Sequence, residues 1–160
     1  MPSEHEGRQR AQSDERPDQW VGFSHAGQRY AVRACQLVGV LREARVTAVP
    51  QADQRLAGVL AWRGELLPVL RTECVLGPST VPSDAILLLD CRGRTLALPV
   101  EKVSGAMDLP DDDVLDSAQA PTGTPLHFPA VRLVKETLVA ILDPDGLCDG
   151  HGALSSSLVI

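Results

Sequence analysis

A chain of 160 residues suits one ordinary domain or two very small ones sharing a core, and with 44% hydrophobic residues it can fill that core. A net charge of −6 and an aromatic content of 3% supply neither the positive field nor the stacking platforms of a nucleic-acid binder. No apolar run approaches the ~20 residues of a membrane span, and the N-terminus MPSEHEGRQRAQSDERPDQ lacks the apolar centre of a signal peptide, so a cytoplasmic location is expected.

Residues 1–18 are polar, of mixed charge and without periodic apolar positions, and are expected to form a disordered tail. From Trp20 the pattern is that of strands. Trp20 to Ser24 reads as a short strand, His25 to Gln28 as a turn, and Arg29 to Val32 as a half-buried strand. Ala34 to Val40 fits a helical turn or a strand equally well. Val46 to Val49 is rich in β-branched residues and ends at Pro50, and Gln51 to Ala57 is a polar connector.

The stretch Leu56 to Leu76 is the most informative. The apolar run Val59 to Trp62 meets a charged corner, Arg63-Gly64-Glu65, and a second apolar run follows, punctuated by Pro68. Two strands around a tight corner fit this pattern, because glycine takes the positive φ that a corner needs. Arg63 then projects from the rim of a sheet. Its planar, weakly hydrated fork makes it a candidate protein-docking residue; the plainer alternative is that it ties down its own corner. Trp62, one of two tryptophans, anchors an interface if it faces outward and fills the core if it faces inward.

Thr72 to Leu76 reads as a short helix and GPSTVPS, residues 77–83, as the main internal linker. Ala85 to Leu89 is an unbroken apolar strand, Asp90 to Arg94 a hairpin turn, Thr95 to Val100 the return strand, and Val103 to Leu109 its extension around a bend. Pro110 to Asp113 resembles a helix start with acidic groups at its N-terminal end. Residues 117–125 form a loop. Leu126 to Leu133 and Thr137 to Leu142 form a last hairpin, terminated by Asp143 to Gly146. Around ten short strands, with turn signals every ~8–12 residues, argue for an all-β protein of small barrels. The organisation suggests a first barrel at about 19–78 and a second at about 84–148, with exchange of strands between them left open, and a C-terminal tail at 149–160.

Catalytic and metal motifs are absent. Cys35, Cys74, Cys91 and Cys148 are scattered beside apolar runs without C-x-x-C spacing, and are expected to be buried free thiols. The three aspartates 111–113 lack the alternation of a Ca²⁺ loop. His5, His25, His127 and His151 lie far apart, and neither G-x-S-x-G nor a phosphate-binding loop occurs.

The run Gly58-Val59-Leu60-Ala61-Trp62-Arg63-Gly64-Glu65-Leu66-Leu67-Pro68-Val69-Leu70 resembles the central signature of the CheW family, adaptors of bacterial chemosensory arrays. Phe23 with Tyr30-Ala31-Val32 is similar to the family's opening hairpin, Val46 to Pro50 to its segment leading to a proline, and Ala85 to Leu89 with Arg94 to Val103 to its second-half hairpin and exit. The resemblance spans roughly 19–145. It implies two five-stranded SH3-like barrels packed side by side, without cofactor, metal or catalysis. It also implies two partners: the regulatory domain of a CheA-type histidine kinase, and the cytoplasmic tip of a chemoreceptor (a methyl-accepting chemotaxis protein) lying in the groove between the barrels, which would recruit the chain to membrane-associated arrays. By position the groove would be lined by Leu37, Val38, Val40 and Arg63, with Val100 and Val103, and with Trp62 and Gly64 completing the Arg63 corner. The sequence departs from the family at Ala61 (usually Asn), Arg71 (commonly Asp) and Gly39 (often acidic), positions that bear on partner choice. Two alternatives stand beside the adaptor: a module that binds and localises or inhibits a kinase without receptor contact, and a small thiol- or metal-dependent enzyme using Cys91 or Cys74.

Overall fold

The computed structural model describes residues 19–50, 53–109, 114–116 and 130–149. The expected N-terminal tail, the helix start at 110–113, the loop at 117–125 and residues 150–160 lie outside them.

The chain is mainly β. Its strands are β1 (Gln19–His25), β2 (Gln28–Arg33), β3 (Leu37–Leu41), β4 (Leu56–Trp62), β5 (Glu65–Leu70), β6 (Ala85–Cys91), β7 (Arg94–Val100), β8 (Lys102–Asp108), β9 (Val114–Asp116), β10 (Ala130–Val134) and β11 (Thr137–Ile141). A 3₁₀ turn (Ala34–Gln36) precedes β3, α1 (Thr72–Val75) follows β5, and α2 (Pro144–Asp149) follows β11. The segment 34–40, open between turn and strand, is thus one after the other. Val46 to Val49 forms no strand; Thr47 alone makes a bridge, to Val59. Asp143 to Gly146 does not simply end the last hairpin but leads into α2, whose Leu147 is buried in the core.

Among the described residues, four hairpins turn on two residues with positive φ: Ala26-Gly27 (51° and 77°), Arg63-Gly64 (49° and 78°), Arg92-Gly93 (53° and 83°) and Lys135-Glu136 (47° and 65°). Positive φ at both central residues is the mark of the I′ turn, whose twist matches that of the strands it joins. Glycine meets this demand without strain at the second position of three of the four turns.

The strands form two sheets, one of six in the order β8-β1-β2-β11-β10-β9 and one of five in the order β3-β6-β7-β5-β4. The five-stranded sheet matches the expected count, and the other gains a sixth strand from the short β9. The sheets do not divide the chain at 77–83. The first hairpin, β1–β2, pairs with β8 and β11, while β6 and β7 pair with β3 and β5. The five-stranded sheet is therefore inserted between the first hairpin and the remaining strands of the six-stranded sheet. Residues 77–83 remain a connector, between α1 and β6, but strands from both sides of it share one sheet.

The described residues form three apolar layers. A shared layer takes Phe23, Tyr30 and Val32 from the six-stranded sheet and Leu87, Leu89, Leu96, Leu98 and Val100 from the five-stranded one. A second layer lies on the other face of the five-stranded sheet, around Leu60, Leu67, Val69, Ile86, Leu88 and Ala97. The third lies on the other face of the first hairpin, around Trp20, Ala31, Val139 and Ile141. Burying each large aliphatic side chain contributes ~1.5–3 kcal/mol. The shared layer holds the two sheets side by side.

The thiols differ from expectation. Only Cys91 of those described is buried; Cys35, in the 3₁₀ turn, and Cys74, in α1, are exposed. Both short elements lie on the rim, where half of each turn faces solvent. Among the described residues no helix is long and apolar enough to cross a membrane.

Candidate docking surface

β3 is an edge strand, paired only with β6. Leu37 opposes Leu89, Val40 opposes Leu87, and the register slips between Leu37 and Gly39, so Val38 sits in a bulge. Directly opposed residues share a face. Leu37 and Val40 therefore lie on the shared-layer side, while Gly39 and Leu41 lie on the side of Leu88 and Ile86. Leu37 packs against the shared layer from its margin. Val40 is 36% exposed and Val38 is 44% exposed.

The opposite margin comes from the six-stranded sheet. Val103 opposes Phe23, and Val21 lies two residues before Phe23 on the same face. Both pack partly buried against the shared layer. The structure thus brings Leu37 and Val103 onto one apolar layer from different sheets, with Val40 on the same face as Leu37. Val21 belongs with them. Its place in an apolar strand is legible, but its neighbour in the sheet, Ala106 of β8, comes from a distant part of the chain.

Val100 does not belong to an accessible surface. It is 0% exposed, at the end of β7 and inside the shared layer. It opposes Ala85, which is itself buried. A side chain sealed between two sheets cannot touch a partner, so Val100 supports the surface from beneath.

Trp62, Arg63 and Gly64 form the tip of the β4–β5 hairpin, in which Trp62 opposes Glu65. The tip is exposed at Arg63 and Gly64. Trp62 is partly buried and packs against the second layer, not the shared one. Its ring carries the Arg63 guanidinium, 4.7 Å from the centroid. Such stacking contributes ~0.5–1 kcal/mol at an exposed site and fixes where the charge stands. The tryptophan thus fills the edge of a core and holds the arginine outward, which joins the two readings of each residue. Beside the tip, Leu66 is 59% exposed and opposes Ala61.

The hairpin is anchored through Gly58. Thr47 and Val59 exchange two backbone bonds, Thr47 N–H to Val59 O at 2.8 Å and Val59 N–H to Thr47 O at 2.9 Å. A Cβ on Gly58 would lie 2.2 Å from the Thr47 carbonyl oxygen. This close approach explains why a glycine stands there: it lets the chain leaving β3 at one edge of the sheet dock onto β4 at the other.

Charges near the connector are mostly paired. Arg71 and Glu73 of the α1 region lie 3.6 Å apart, both exposed, and Arg55 makes two side-chain bonds to Asp53, at 3.0 and 2.7 Å. Among the described residues no group of three or more His, Cys, Asp or Glu could hold a metal ion.

Comparison with known proteins agrees with this architecture. The family model for the CheW-like domain matches residues 19–151. Among solved structures, the scaffolding protein TtCheW from Thermoanaerobacter tengcongensis superposes with a TM-score of 0.71 at 18% identity, over 79% of this chain and 89% of that one. No curated protein matches in sequence. With the match spanning most of the chain and the same two-sheet fold in the solved relative, the protein belongs to the CheW-like domain family.

Proposed function

We propose that this protein is a non-enzymatic adaptor of a chemosensory signalling complex, coupling the helical tip of a chemoreceptor to the regulatory domain of a CheA-type histidine kinase. One observation carries the reading: aliphatic side chains from both sheets, Val21 and Val103 from one and Leu37 from the other, pack partly buried against the margin of a single shared layer, and Val40, on the same face as Leu37, is exposed. A partner helix laid along that margin contacts both sheets at once and so senses their relative placement. Helix-in-groove recognition of this kind is read through spaced aliphatic anchors. The Trp62–Arg63 tip supplies a charged contact of defined direction at the rim.

The mechanism is geometric. Holding the kinase and receptor at fixed positions makes kinase activity depend on receptor state, through a coupling of typically ~1–3 kcal/mol. Individual contacts can be modest, because linked contacts raise effective concentration.

Co-sedimentation with purified kinase and receptor signalling fragments, alone and together, tests the reading. A three-component complex that requires this protein, and that is lost in Arg63→Glu and Val40→Asp chains that still melt normally, is the expected result. Kinase binding without receptor recruitment would replace the adaptor by a kinase-localising or inhibiting module. Binding to neither partner would overturn both.

A further inference from the structure

The β1–β2 turn and the connector 77–83 meet at a part-buried polar contact that the docking surface does not use. His25 ends β1 and is 4% exposed. Its Nε2 lies 3.2 Å from the Gly77 carbonyl oxygen. A carbonyl only accepts, so Nε2 carries the hydrogen. In the neutral ring Nδ1 is then a bare lone pair. That atom is buried without a hydrogen-bond partner, and Glu101 Oε1 stands 4.0 Å away.

Glu101, at the junction of β7 and β8, already holds two other segments. It accepts a bond from the Ala26 N–H at 3.0 Å, within the β1–β2 turn, and another from the Ser79 hydroxyl of the connector. Ser79 in turn accepts from the Val81 N–H at 3.1 Å. The Ser79 hydroxyl first, then the Ala26 N–H, and lastly the nearby His25, hold the Glu101 carboxyl below its ordinary range. Glu101 therefore stays ionised where histidine titrates.

We propose that His25 and Glu101 form a proton-operated latch that fastens the 77–83 connector to the β1–β2 turn. With His25 neutral, its buried Nδ1 and the partly exposed Glu101 carboxylate are both acceptors, and nothing draws them together. When Nδ1 takes a proton it becomes a donor 4.0 Å from a carboxylate oxygen. A closure of about 1 Å then gives a charge-assisted bond of ordinary length. The ring then bridges Gly77 to Glu101 while Glu101 keeps Ala26 and Ser79, so turn, connector and strand junction are tied at one point. The latch closes when His25 takes up a proton and loosens when it gives the proton up.

The other charged groups around the contact do not compete. Arg71 and Glu73, across the cleft that His25 lines, pair with each other at 3.6 Å. Lys102, next to Glu101, is exposed and sits opposite Ser24 in the ladder. Tyr30 bonds the Leu76 carbonyl oxygen at 3.5 Å, and burial raises its titration further above the neutral range. The cleft beneath the connector, about 270 Å³ and lined by His25, Arg71, Thr72, Ser79, Val81 and Pro99 among others, is what the latch closes over.

Amide hydrogen exchange at Ala26 and Val81, corrected for the intrinsic rate and followed from about pH 5.5 to pH 8 in the intact chain, tests the latch. The His25 ring is titrated in parallel by NMR. Protection of both amides is expected to fall about fivefold or more as His25 loses its proton. Glu101→Gln, which keeps an acceptor but no charge, is expected to flatten that dependence. If Glu101→Gln does not fold, His25→Gln, which keeps a donor for Gly77 and cannot titrate, carries the same comparison. Protection that is constant across the range in the unmodified chain, or an unchanged pH slope in either variant, would overturn the proposal.

Discussion

Strands β3 and β6 lie side by side, antiparallel, and both are written almost entirely in aliphatic residues, LVGVL and AILLLDC. Their fates differ. Every residue of β6 except Asp90 is buried, with Leu87 and Leu89 in the shared layer and Leu88 and Ile86 in the second. In β3 no residue is fully buried, and its two valines are exposed. The difference is one of position. β6 has a neighbour on each side and an apolar layer on each face, whereas β3 has one neighbour and a free edge. Apolar composition gives the capacity to be buried; place in the sheet decides whether the capacity is used in folding or left for a partner.

The sharpest way to break this comparison is to charge the same face of both strands. Leu87→Asp is expected to unfold the protein, because it leaves an unpaired carboxylate between two sheets. Val40→Asp, directly opposite it, should stay folded by circular dichroism, with a melting temperature within about 5 °C of the parent. Equal damage from both would mean that β3 is not an edge.

A second test contrasts the open edge at β3 with the tethered edge at β4. Gly58→Ala drives a methyl group into the Thr47 carbonyl and should cost about 3 kcal/mol in chemical denaturation, from the clash and the two backbone bonds it disturbs. A loss below about 0.5 kcal/mol would show that the tether is slack.

Arg63→Glu removes the stacking contact on Trp62 without opening a cavity, so its stability should change by less than about 1 kcal/mol while adaptor assembly is lost. A large fall in denaturation midpoint would make Arg63 a structural residue of its own corner. The smallest effect is expected at the bulge: Val38→Lys should shift stability by no more than about 0.5 kcal/mol, because the side chain already stands 44% exposed.

Much of this architecture is legible in the sequence. Three of the four described I′ turns carry a glycine, the unbroken run at Ala85–Leu89 announces a strand, and the corner at Arg63-Gly64 falls where the structure puts it. What is not legible depends on contacts distant along the chain. Val100 reads like any aliphatic residue at a strand end, and only the packing of the first hairpin onto β7 seals it. Val21 escapes notice because its partner in the sheet, Ala106 of β8, lies 85 positions later. Cys35 and Cys74 sit beside apolar runs yet face outward, because the runs end in single turns on the rim. The His25–Glu101 contact, 76 positions apart, leaves no pattern in either segment.

The insertion of one sheet within the other sets an order of events during synthesis. All strands of the five-stranded sheet lie within residues 37–100, so the emerging chain carries everything that sheet needs well before it is complete. The β1–β2 hairpin leaves the ribosome before that sheet but must wait for β8 and, on its other side, for β11, which ends at residue 141. Among the described strands the earliest are thus among the last to be satisfied, and β2, which carries Tyr30 and Val32, gains its second neighbour only when β11 is made.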